Sequence, residues 1–274
     1  MMVEIKSPEE IEKMRIAGRL TAQVLEAVTQ IVAPGITTMD IDTFCEDYIR
    51  NTLQAIPGSK GQYGYPYSVN TSLNHVICHG MPSDKQILKK GDIVNVDITV
   101  IYEGYYGDSS KMFCIGEVPA HAQRLVDVTQ ECLYKGISVV RPQAYIGDIG
   151  HAIQTHATQN HYSVVREYCG HGIGKKMHQE PQVTHYGTAG TGLVLEAGMT
   201  FTIEPMINQG RPEVKHLNKD GWSIAITKDR KLSAQWEHTI LVTPTGYEIL
   251  TLRQEEIEPM AQFMRHSAIS SGVS

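Results

Sequence analysis

The sequence lacks the features that mark membrane, secreted and nucleic-acid-binding proteins. No stretch approaches the run of about 18 apolar residues that can span a membrane. The N-terminal stretch MMVEIKSPEEIEKMRIAGRL is charged throughout and has no apolar segment of a secretory signal. Basic residues are in deficit, since 24 Lys and Arg stand against 30 Asp and Glu. We therefore expect a cytoplasmic protein with no membrane association and no nucleic-acid specificity.

Cysteine is also sparse, with five residues, an odd number, and no CxxC pair. This pattern predicts neither a disulfide framework nor a cysteine zinc site, and it is typical of a reducing compartment. What the chain does contain is typical of a globular protein, because 41% of its 274 residues are hydrophobic and 20% are charged. The length is sufficient for one large domain or for two small domains that share a core.

Two similar series of elements follow each other along the chain. In the first series, Ser7-Pro8-Glu9-Glu10 is typical of a helix start, and Pro34-Gly35 ends the apolar periodicity that follows it. A second helix comes next, and strand-like runs with turn signals follow it. After Gly116 the same order repeats. The expected helices cover residues 7–33, 38–53, 120–140 and 147–159. Strand-like runs follow the loop GQYGYPYSVN in the first series and fill 162–250 in the second.

Short similarities in the letters support a duplication. VAPGITTMDID aligns with VVRPQAYIGDIG, which matches Asp40 with Asp148, and GDIVNVD aligns with GMTFTIE, which places Asp97 opposite Glu204. Because the order of the elements agrees with these alignments, we expect a duplicated α/β unit with two halves packed about a pseudo-twofold axis. The predicted halves are residues 5–116 and 117–252 of a single domain over 1–274, with a tail over 253–274 whose SAISSGVS end is expected to be disordered.

The segment NVDITVIYEGYYGDSS places two carboxylates in a predicted β-hairpin. With Glu103-Gly104 as the turn, Asp97 lies opposite Ser110, and Asp108 lies opposite Thr99. The two aspartates are then diagonal neighbours on one face, on the order of 7–8 Å apart at the backbone. Two like charges so placed repel each other unless a cation compensates them. The pair therefore indicates either the solvent-facing side of an edge hairpin or a metal site.

Three further residues can decide between these alternatives. His171 lies in CGHGIGKKMHQEP, Glu204 in FTIEPMI and Glu237 in AQWEHTILV. Each one alone has an ordinary structural explanation, such as a capped histidine or an edge glutamate. Together with the aspartates, they form a set of four carboxylates and one imidazole, which suits divalent Mn, Fe, Co or Zn. Four carboxylates also neutralise two divalent ions, so the set favours a dinuclear site.

With their flanking motifs GDSSKMF, CGHGIG, TIEPM and QWEHT, these residues resemble the type I methionine aminopeptidases. The likeness covers about residues 5–252. It implies the duplicated pita-bread α/β fold, in which an antiparallel sheet is covered by helices on one side. The chain lacks the large insertion of the type II enzymes and an N-terminal zinc-finger extension, so the compact bacterial-style form is expected.

The resemblance implies a hydrolase that removes the N-terminal methionine from nascent proteins and peptides when the second residue is small. Two divalent ions, such as Co, Mn, Fe or Zn, are implied. The first ion would be held by Asp97, Asp108 and Glu237, and the second by Asp108, His171, Glu204 and Glu237. A monomer that contacts the ribosome transiently is also expected.

Other functional residues are carried over by the same resemblance. Glu204 would take a proton from the attacking water, and His79 and His178 match the two catalytic histidines of the family that are not ligands. Tyr65 and Trp222 match the aromatic side chains of the methionine pocket. The remaining matches are the pocket positions Gln62, Tyr63, Asn70 and Met177, and a monovalent-cation site at Asn74, Val76 and Ser233. Gln62, Asn70 and Met177 replace the Tyr, Cys and Phe that the family often has.

Two alternatives remain open at this point. One is another pita-bread C–N hydrolase, similar to a proline dipeptidase or aminopeptidase P, which uses similar ligands but usually carries an extra N-terminal domain. The other is a non-catalytic binding homologue of the same fold, in which ligands are typically lost.

Overall fold

The computed structural model describes residues 3–270. The described α-helices are α1 (Pro8–Val28), α2 (Thr38–Asp47), α3 (Ala120–Ser138), α4 (Ile146–Gln159) and α5 (Ile257–Ser270). The strands of the first half are β1 (Ile56–Pro57), β2 (Val69–Leu73), β3 (Val76–Cys78), β4 (Ile93–Tyr102) and β5 (Tyr105–Cys114). Those that follow are β6 (Ser163–Val164), β7 (Gly170–Gly172), β8 (Gln179–Val183), β9 (Thr200–Ile203), β10 (Met206–Asn208), β11 (Val214–Lys219), β12 (Trp222–Thr227), β13 (Ser233–Gln235), β14 (His238–Thr243) and β15 (Gly246–Ile249).

The helix starts follow the predicted capping chemistry. Ser7 caps α1, and Glu10 completes the capping box by accepting from the Ser7 backbone N–H at 2.9 Å. The helix expected over 38–53 is α-helical only to Asp47, and residues Tyr48–Thr52 continue it as a turn of π-helix.

The hairpin predicted around Glu103-Gly104 is confirmed in its register. β4 and β5 pair so that Asp97 lies opposite Ser110 and Thr99 lies opposite Asp108. β4 is also paired with β1 and β2, so it is an inner strand rather than the edge strand that a solvated hairpin would require. Every strand pairing in the described range is antiparallel. The face opposite the aspartates packs in the core under α1 and α2 through Val94, Val96, Ile98 and Val100.

The two halves repeat the same local structure at the start of their second helix. In α2, Asp40 accepts from the backbone N–H of Thr37 at 2.7 Å, and in α4, Asp148 accepts from that of Tyr145 at 2.8 Å. The residue that precedes each helix also forms an isolated antiparallel bridge. Thr37 pairs with Ile87 in one half, and Tyr145 pairs with Val194 in the other.

Side chains and backbone join the two halves at β5. The Asp108 backbone N–H donates to Thr239 Oγ1 at 3.1 Å, and this hydroxyl donates back to the Asp108 carbonyl at 2.7 Å. Ser110 pairs with Glu237 in an isolated antiparallel bridge. The strand that carries Asp108 therefore lies against the segment that carries Glu237. None of the described helices combines the length and the apolar character needed to cross a membrane.

The segment predicted as a tail is structured in the described range. Arg253 is fully buried, Glu256 is 2% exposed, and Met260 of α5 packs in the core beside α3. α5 continues to Ser270, and the expectation that the SAISSGVS end is disordered stays a prediction. Residues 271–274 lie outside the described range.

Candidate metal centre and active site

The five predicted ligands line one cavity of about 590 Å³. Asp97 and Asp108 lie within β4 and β5, and His171 lies in β7. Glu204 directly follows β9, and Glu237 lies between β13 and β14. Strands from both halves of the chain therefore direct all five side chains toward the same space.

The distances among these groups agree with a metal site. Ligand atoms of Asp108, His171 and Glu237 all lie within 4.8 Å of one another. His171 Nε2 is 3.8 Å from Asp108 Oδ2 and 3.6 Å from Glu204 Oε1. Asp108 is 3% and Glu237 2% exposed, so the alternative of a solvent-facing polar surface is wrong.

Ionisation of the four buried carboxylates is costly in the absence of a cation. Burial raises the pKa of Asp97 to about 7 and raises that of Asp108 well above its usual value, with a further contribution from Asp97. Burial and the neighbouring carboxylates raise the pKa of Glu204 and of Glu237 as well. In the described part of the chain, no lysine or arginine forms a salt bridge with these four groups. Burial lowers the pKa of His171 to about 3, which keeps the imidazole neutral and able to bind a cation.

Neutral donors hold the carboxylate of Glu204. Thr202 Oγ1 donates to Glu204 Oε1 at 3.0 Å, and Gln235 Nε2 donates to Glu204 Oε2 at 3.2 Å. The Glu204 backbone N–H donates to His185 Nε2 at 3.2 Å, which leaves the buried Nδ1 of His185 without a partner among the described residues. These bonds orient the carboxylate without neutralising it. Buried oxygen ligands that have no salt bridge to a lysine or arginine, plus one neutral imidazole, fit divalent ions.

His79 and His178 line the same cavity and are not among the ligand atoms that cluster. Burial lowers the pKa of His79 to about 4, and burial also lowers that of the more exposed His178. Both rings are therefore neutral near pH 7. The His178 ring lies 4.3 Å from that of His171, and its Nδ1 is 3.1 Å from the Tyr63 hydroxyl.

The predicted pocket residues line the same cavity as the ligands. The rings of Tyr65 and Trp222 are 4.5 Å apart between centroids. Both side chains direct their polar atoms toward backbone carbonyls, because the Tyr65 hydroxyl donates to Val69 O at 2.8 Å and the Trp222 indole donates to His79 O at 2.9 Å. The other predicted pocket residues that line the cavity are Gln62, Tyr63, Asn70 and Met177.

Sequence reasoning missed several residues of the cavity wall, and two of them, Tyr168 and Gln235, contact predicted site residues. Tyr168 packs edge-to-face on the His79 ring, with centroids 5.2 Å apart. Gln235 binds Glu204, as described above. Both lie just upstream of a predicted ligand, Tyr168 in EYCGHGIG and Gln235 in AQWEHT. Their positions beside those motifs are the signal that could have found them.

The residues matched to a monovalent-cation site lie near one another. The Ser233 backbone N–H donates to the Asn74 carbonyl at 2.9 Å, and Val76 begins β3 beside them. The Asn74 side chain is engaged on both ends, because its amide donates to Asp92 and its carbonyl accepts from Ile93. The contacts bring these residues together, and cation binding there stays a prediction.

Comparison with known proteins places this geometry in a family. The chain matches the model of metallopeptidase family M24 over residues 12–244. It is 52% identical over 259 residues to the methionine aminopeptidase of Escherichia coli K12. This alignment covers 94% of this chain and 97% of that protein. The crystal structure of methionine aminopeptidase from Rickettsia prowazekii superposes with a TM-score of 0.89 at 49% identity, covering 92% of this chain and 100% of that one.

A more distant structure shares only the fold. The prolidase from Pyrococcus furiosus is 20% identical, with a TM-score of 0.72, and the match covers 91% of this chain but 66% of that one. The expected duplicated fold of antiparallel sheet and covering helices is confirmed by the methionine aminopeptidase structures. Full-length coverage at high identity thus separates this chain from the prolidases. The chain belongs to metallopeptidase family M24 and, within it, to the methionine aminopeptidases.

Proposed function

We propose that this protein is a metal-dependent aminopeptidase that removes the N-terminal methionine from nascent proteins and peptides. The observation that carries the proposal is the convergence of five ligand residues and two neutral histidines in one cavity. A relative that is 52% identical over 94% of the chain is a methionine aminopeptidase. All five ligand positions are occupied by ligand residues, which argues against a non-catalytic homologue.

The ligand set divides between two divalent ions. Asp97, Asp108 and Glu237 would hold one ion, and Asp108, His171, Glu204 and Glu237 would hold the other, so that Asp108 and Glu237 would be shared. The 4.8 Å cluster of Asp108, His171 and Glu237 supports the sharing. Cobalt, manganese, iron and zinc all accept carboxylate oxygens with one imidazole.

The protein's own groups carry the proton transfers. When bound, the ions supply Lewis-acid polarisation of the scissile carbonyl and lower the pKa of the attacking water. Glu204, oriented by Thr202 and Gln235, takes a proton from that water and later gives it to the leaving amine. His178 donates a hydrogen bond to the carbonyl oxygen as negative charge develops on it. His79, the more buried of the two histidines, contacts the substrate.

The cavity wall at Tyr65 and Trp222 receives the methionine side chain. An unbranched thioether fits against aromatic rings, and each sulfur–aromatic contact contributes about 0.3–1.5 kcal/mol. Met177 and Asn70 line the same cavity and replace bulkier or more polarisable family residues. We expect these replacements to alter how tightly the side chain is held, while methionine stays the preferred residue.

The resemblance to the family suggests four further properties of this protein. They are a preference for a small second residue, action as a cytoplasmic monomer, transient contact with the ribosome, and a monovalent cation bound at Asn74, Val76 and Ser233. Each is separable from the central activity. Peptides that differ only in the second residue, Met-Gly against Met-Leu, test the first property directly.

The central activity is tested by release of methionine from Met-Gly peptides, compared with Pro-containing peptides, in chelated protein and after addition of Mn, Co or Fe. We expect release from Met-Gly that requires metal. Preference for the Pro-containing peptides would favour the prolidase-like alternative, and full activity after chelation would contradict the metal site. The chelated protein should stay folded, because the ligand strands are backed by an apolar core.

A further inference from the structure

The backbone of His79 has an unusual conformation. Its φ angle is +61°, in the left-handed region that favours glycine. A side chain with a Cβ pays a conformational cost there, and such residues persist where the surrounding structure holds them in place. The contacts around His79 therefore show what keeps the imidazole at its position in the cavity.

The residues on both sides of His79 are anchored to different strands. Cys78 ends β3 and pairs with Ala225 of β12. Gly80 lies so close to β2 that a Cβ there would be 2.1 Å from the Thr71 carbonyl oxygen, and its own carbonyl accepts from the Thr71 N–H at 2.9 Å. The chain must pass between these two anchors within a single residue. This close passage explains why His79 takes the left-handed conformation.

The carbonyl of His79 has one partner among the described residues, the indole of Trp222. Trp222 Nε1 donates to it at 2.9 Å, and the indole and imidazole centroids are 5.8 Å apart. Tyr168 packs edge-to-face on the same imidazole, and its hydroxyl is 3.1 Å from His216 Nε2. Trp222 and His216 belong to the two strands of one hairpin, β12 and β11. That hairpin therefore supports His79 directly through the indole and indirectly through Tyr168.

We propose that Trp222 is a positioning residue for His79, in addition to forming a wall of the methionine pocket. Its N–H fixes the peptide plane that follows His79, and this fixes the direction in which the imidazole enters the cavity. A pocket wall needs only the apolar face of the indole, so the directed N–H has no function in side-chain binding. The inference rests on the proposed function, because it assumes that His79 contacts the substrate.

The test is a double-mutant cycle between Trp222→Phe and His79→Ala. Phe keeps an aromatic ring beside Tyr65 but removes the N–H. We expect Trp222→Phe to lower kcat for a Met-Gly peptide by about 10-fold, with KM changed by less than about 3-fold. In the His79→Ala background, the same substitution should lower kcat by less than about 2-fold, because the group it positions is already absent.

The matched control is Trp236→Phe, at the only other tryptophan of the chain. Its indole also donates to a backbone carbonyl, that of Val126 at 3.1 Å, but in the core. Trp236→Phe should lower the melting temperature. Its effect on kcat should be independent of His79, so the double variant should show the product of the two single effects. Such independent behaviour would show that loss of an indole hydrogen bond does not by itself produce coupling to His79.

Two outcomes would overturn the proposal. One is a Trp222→Phe variant whose kcat equals that of the parent protein while its KM is raised. The indole would then act only as a wall of the pocket. The other is a kcat loss of equal size with and without His79. If Trp222→Phe does not fold, Tyr168→Leu removes the ring that packs on His79 and is read in the same cycle. A parent protein that releases no methionine would instead overturn the proposed function, so the two failures are distinguishable.

Discussion

In the N-terminal half, Asp97 and Asp108 lie inside two strands of 10 residues each whose pairing is continuous. In the C-terminal half, Glu204 follows a strand of 4 residues, and Glu237 lies between two strands. A side chain inside a paired strand is oriented by the backbone register. A side chain at a strand end is oriented only if other side chains hold it. The two halves therefore supply equivalent ligands by different means.

Glu204 has the side-chain partners that this difference requires, and Glu237 is anchored through its backbone. Glu204 is held by Thr202 and Gln235, whereas Asp108 accepts from one side chain, Thr99 Oγ1 at 3.0 Å. The Glu237 carbonyl accepts from Ser109 Oγ at 2.6 Å. Substitutions of supporting side chains should thus affect the C-terminal ligands more than the N-terminal ones.

Arg253, Glu256 and His238 form a buried ionic cluster next to Glu237. Arg253 donates to Ser109 Oγ at 2.8 Å and lies 2.7 Å from Glu256 Oε2. His238 Nε2 is 3.3 Å from the same carboxylate oxygen. Burial raises the pKa of Glu256, but the charge of Arg253 and the contacts with His238 and Gln130 together outweigh burial and hold that pKa below its usual value. The helical C-terminal segment is thereby tied to the strand pair that carries the metal ligands.

Loss of a shared ligand should have the largest effect, whichever half supplies it. Asp108→Asn removes a charge that the proposed assignment gives to both ions, so kcat/KM for a Met-Gly peptide should fall by about 10²–10³-fold or more. Asp97→Ala should mainly lose one ion. Calorimetric titration with Mn or Co measures the number of ions bound. Equal losses of metal in the two variants would contradict the assignment of Asp108 as a shared ligand.

Disruption of the buried cluster should have the largest effect on stability. Arg253→Met leaves Glu256 buried without its cation, which should cost about 3–5 kcal/mol of unfolding free energy. Denaturant unfolding of the metal-free protein measures it. Arg124→Met is the control, since Arg124 is exposed and its loss should change stability by less than about 0.5 kcal/mol. A similarly small change in Arg253→Met would show that the cluster does not support the fold.

The two histidines proposed as catalytic, His79 and His178, should respond differently to acid. Burial lowers the pKa of His79 from 6.5 to about 4, so between these pH values the unfolded chain binds a proton that the folded protein does not. Stability from this group is complete above pH 6.5 and is lost as the pH falls toward 4, by on the order of 2–3 kcal/mol. Asn tolerates the left-handed conformation, so His79→Asn should make the acid dependence of stability shallower.

The exposed His178 supplies the comparison for this experiment. Its pKa is also lowered by burial, but the side chain lies at the open side of the cavity. His178→Asn should therefore change the acid dependence less than His79→Asn does. Melting temperatures between pH 7 and pH 4 for the parent and both variants decide the matter. A larger change in His178→Asn would show that His79 is not the more strongly desolvated imidazole.

Local patterns explain which features could be predicted from the sequence. The hairpin register follows from the turn at Glu103-Gly104 and from strict alternation, and both are visible within twenty letters or so. The ligands were recognisable because each lies in a short motif. The left-handed His79 was not, because it results from β2, β3 and β12 meeting at one residue. The local sequence ICHGMP contains no signal that these three strands converge at His79.

The burial of Arg253 and Glu256 could not be predicted from the sequence for a similar reason. Arg253 and Glu256 are charged residues in a polar stretch, and such residues are usually solvated. Their burial depends on partners far away in the sequence, because Glu256 Oε1 accepts from Tyr134 at 3.1 Å and from Gln130 at 3.0 Å. Charged residues that neutralise each other across such distances leave no trace in local composition.

The smallest predicted effect compares two threonines that support ligands in opposite halves. Thr202 Oγ1 donates to Glu204 and accepts from the His171 backbone N–H at 3.0 Å, so it fixes two ligands. Thr99 donates only to Asp108, whose position the strand register also fixes.

Substitution of each threonine by Val keeps the shape and removes the hydroxyl. Thr202→Val should weaken metal binding by about 10-fold, and Thr99→Val should weaken it by less than about 3-fold. Each variant should lose about 1 kcal/mol of stability, so unfolding alone cannot separate them. Metal titration can, because affinity depends on how well the ligands are oriented before the ion arrives. If Thr99→Val weakened metal binding as much as Thr202→Val, backbone register would not be what orients the N-terminal ligands.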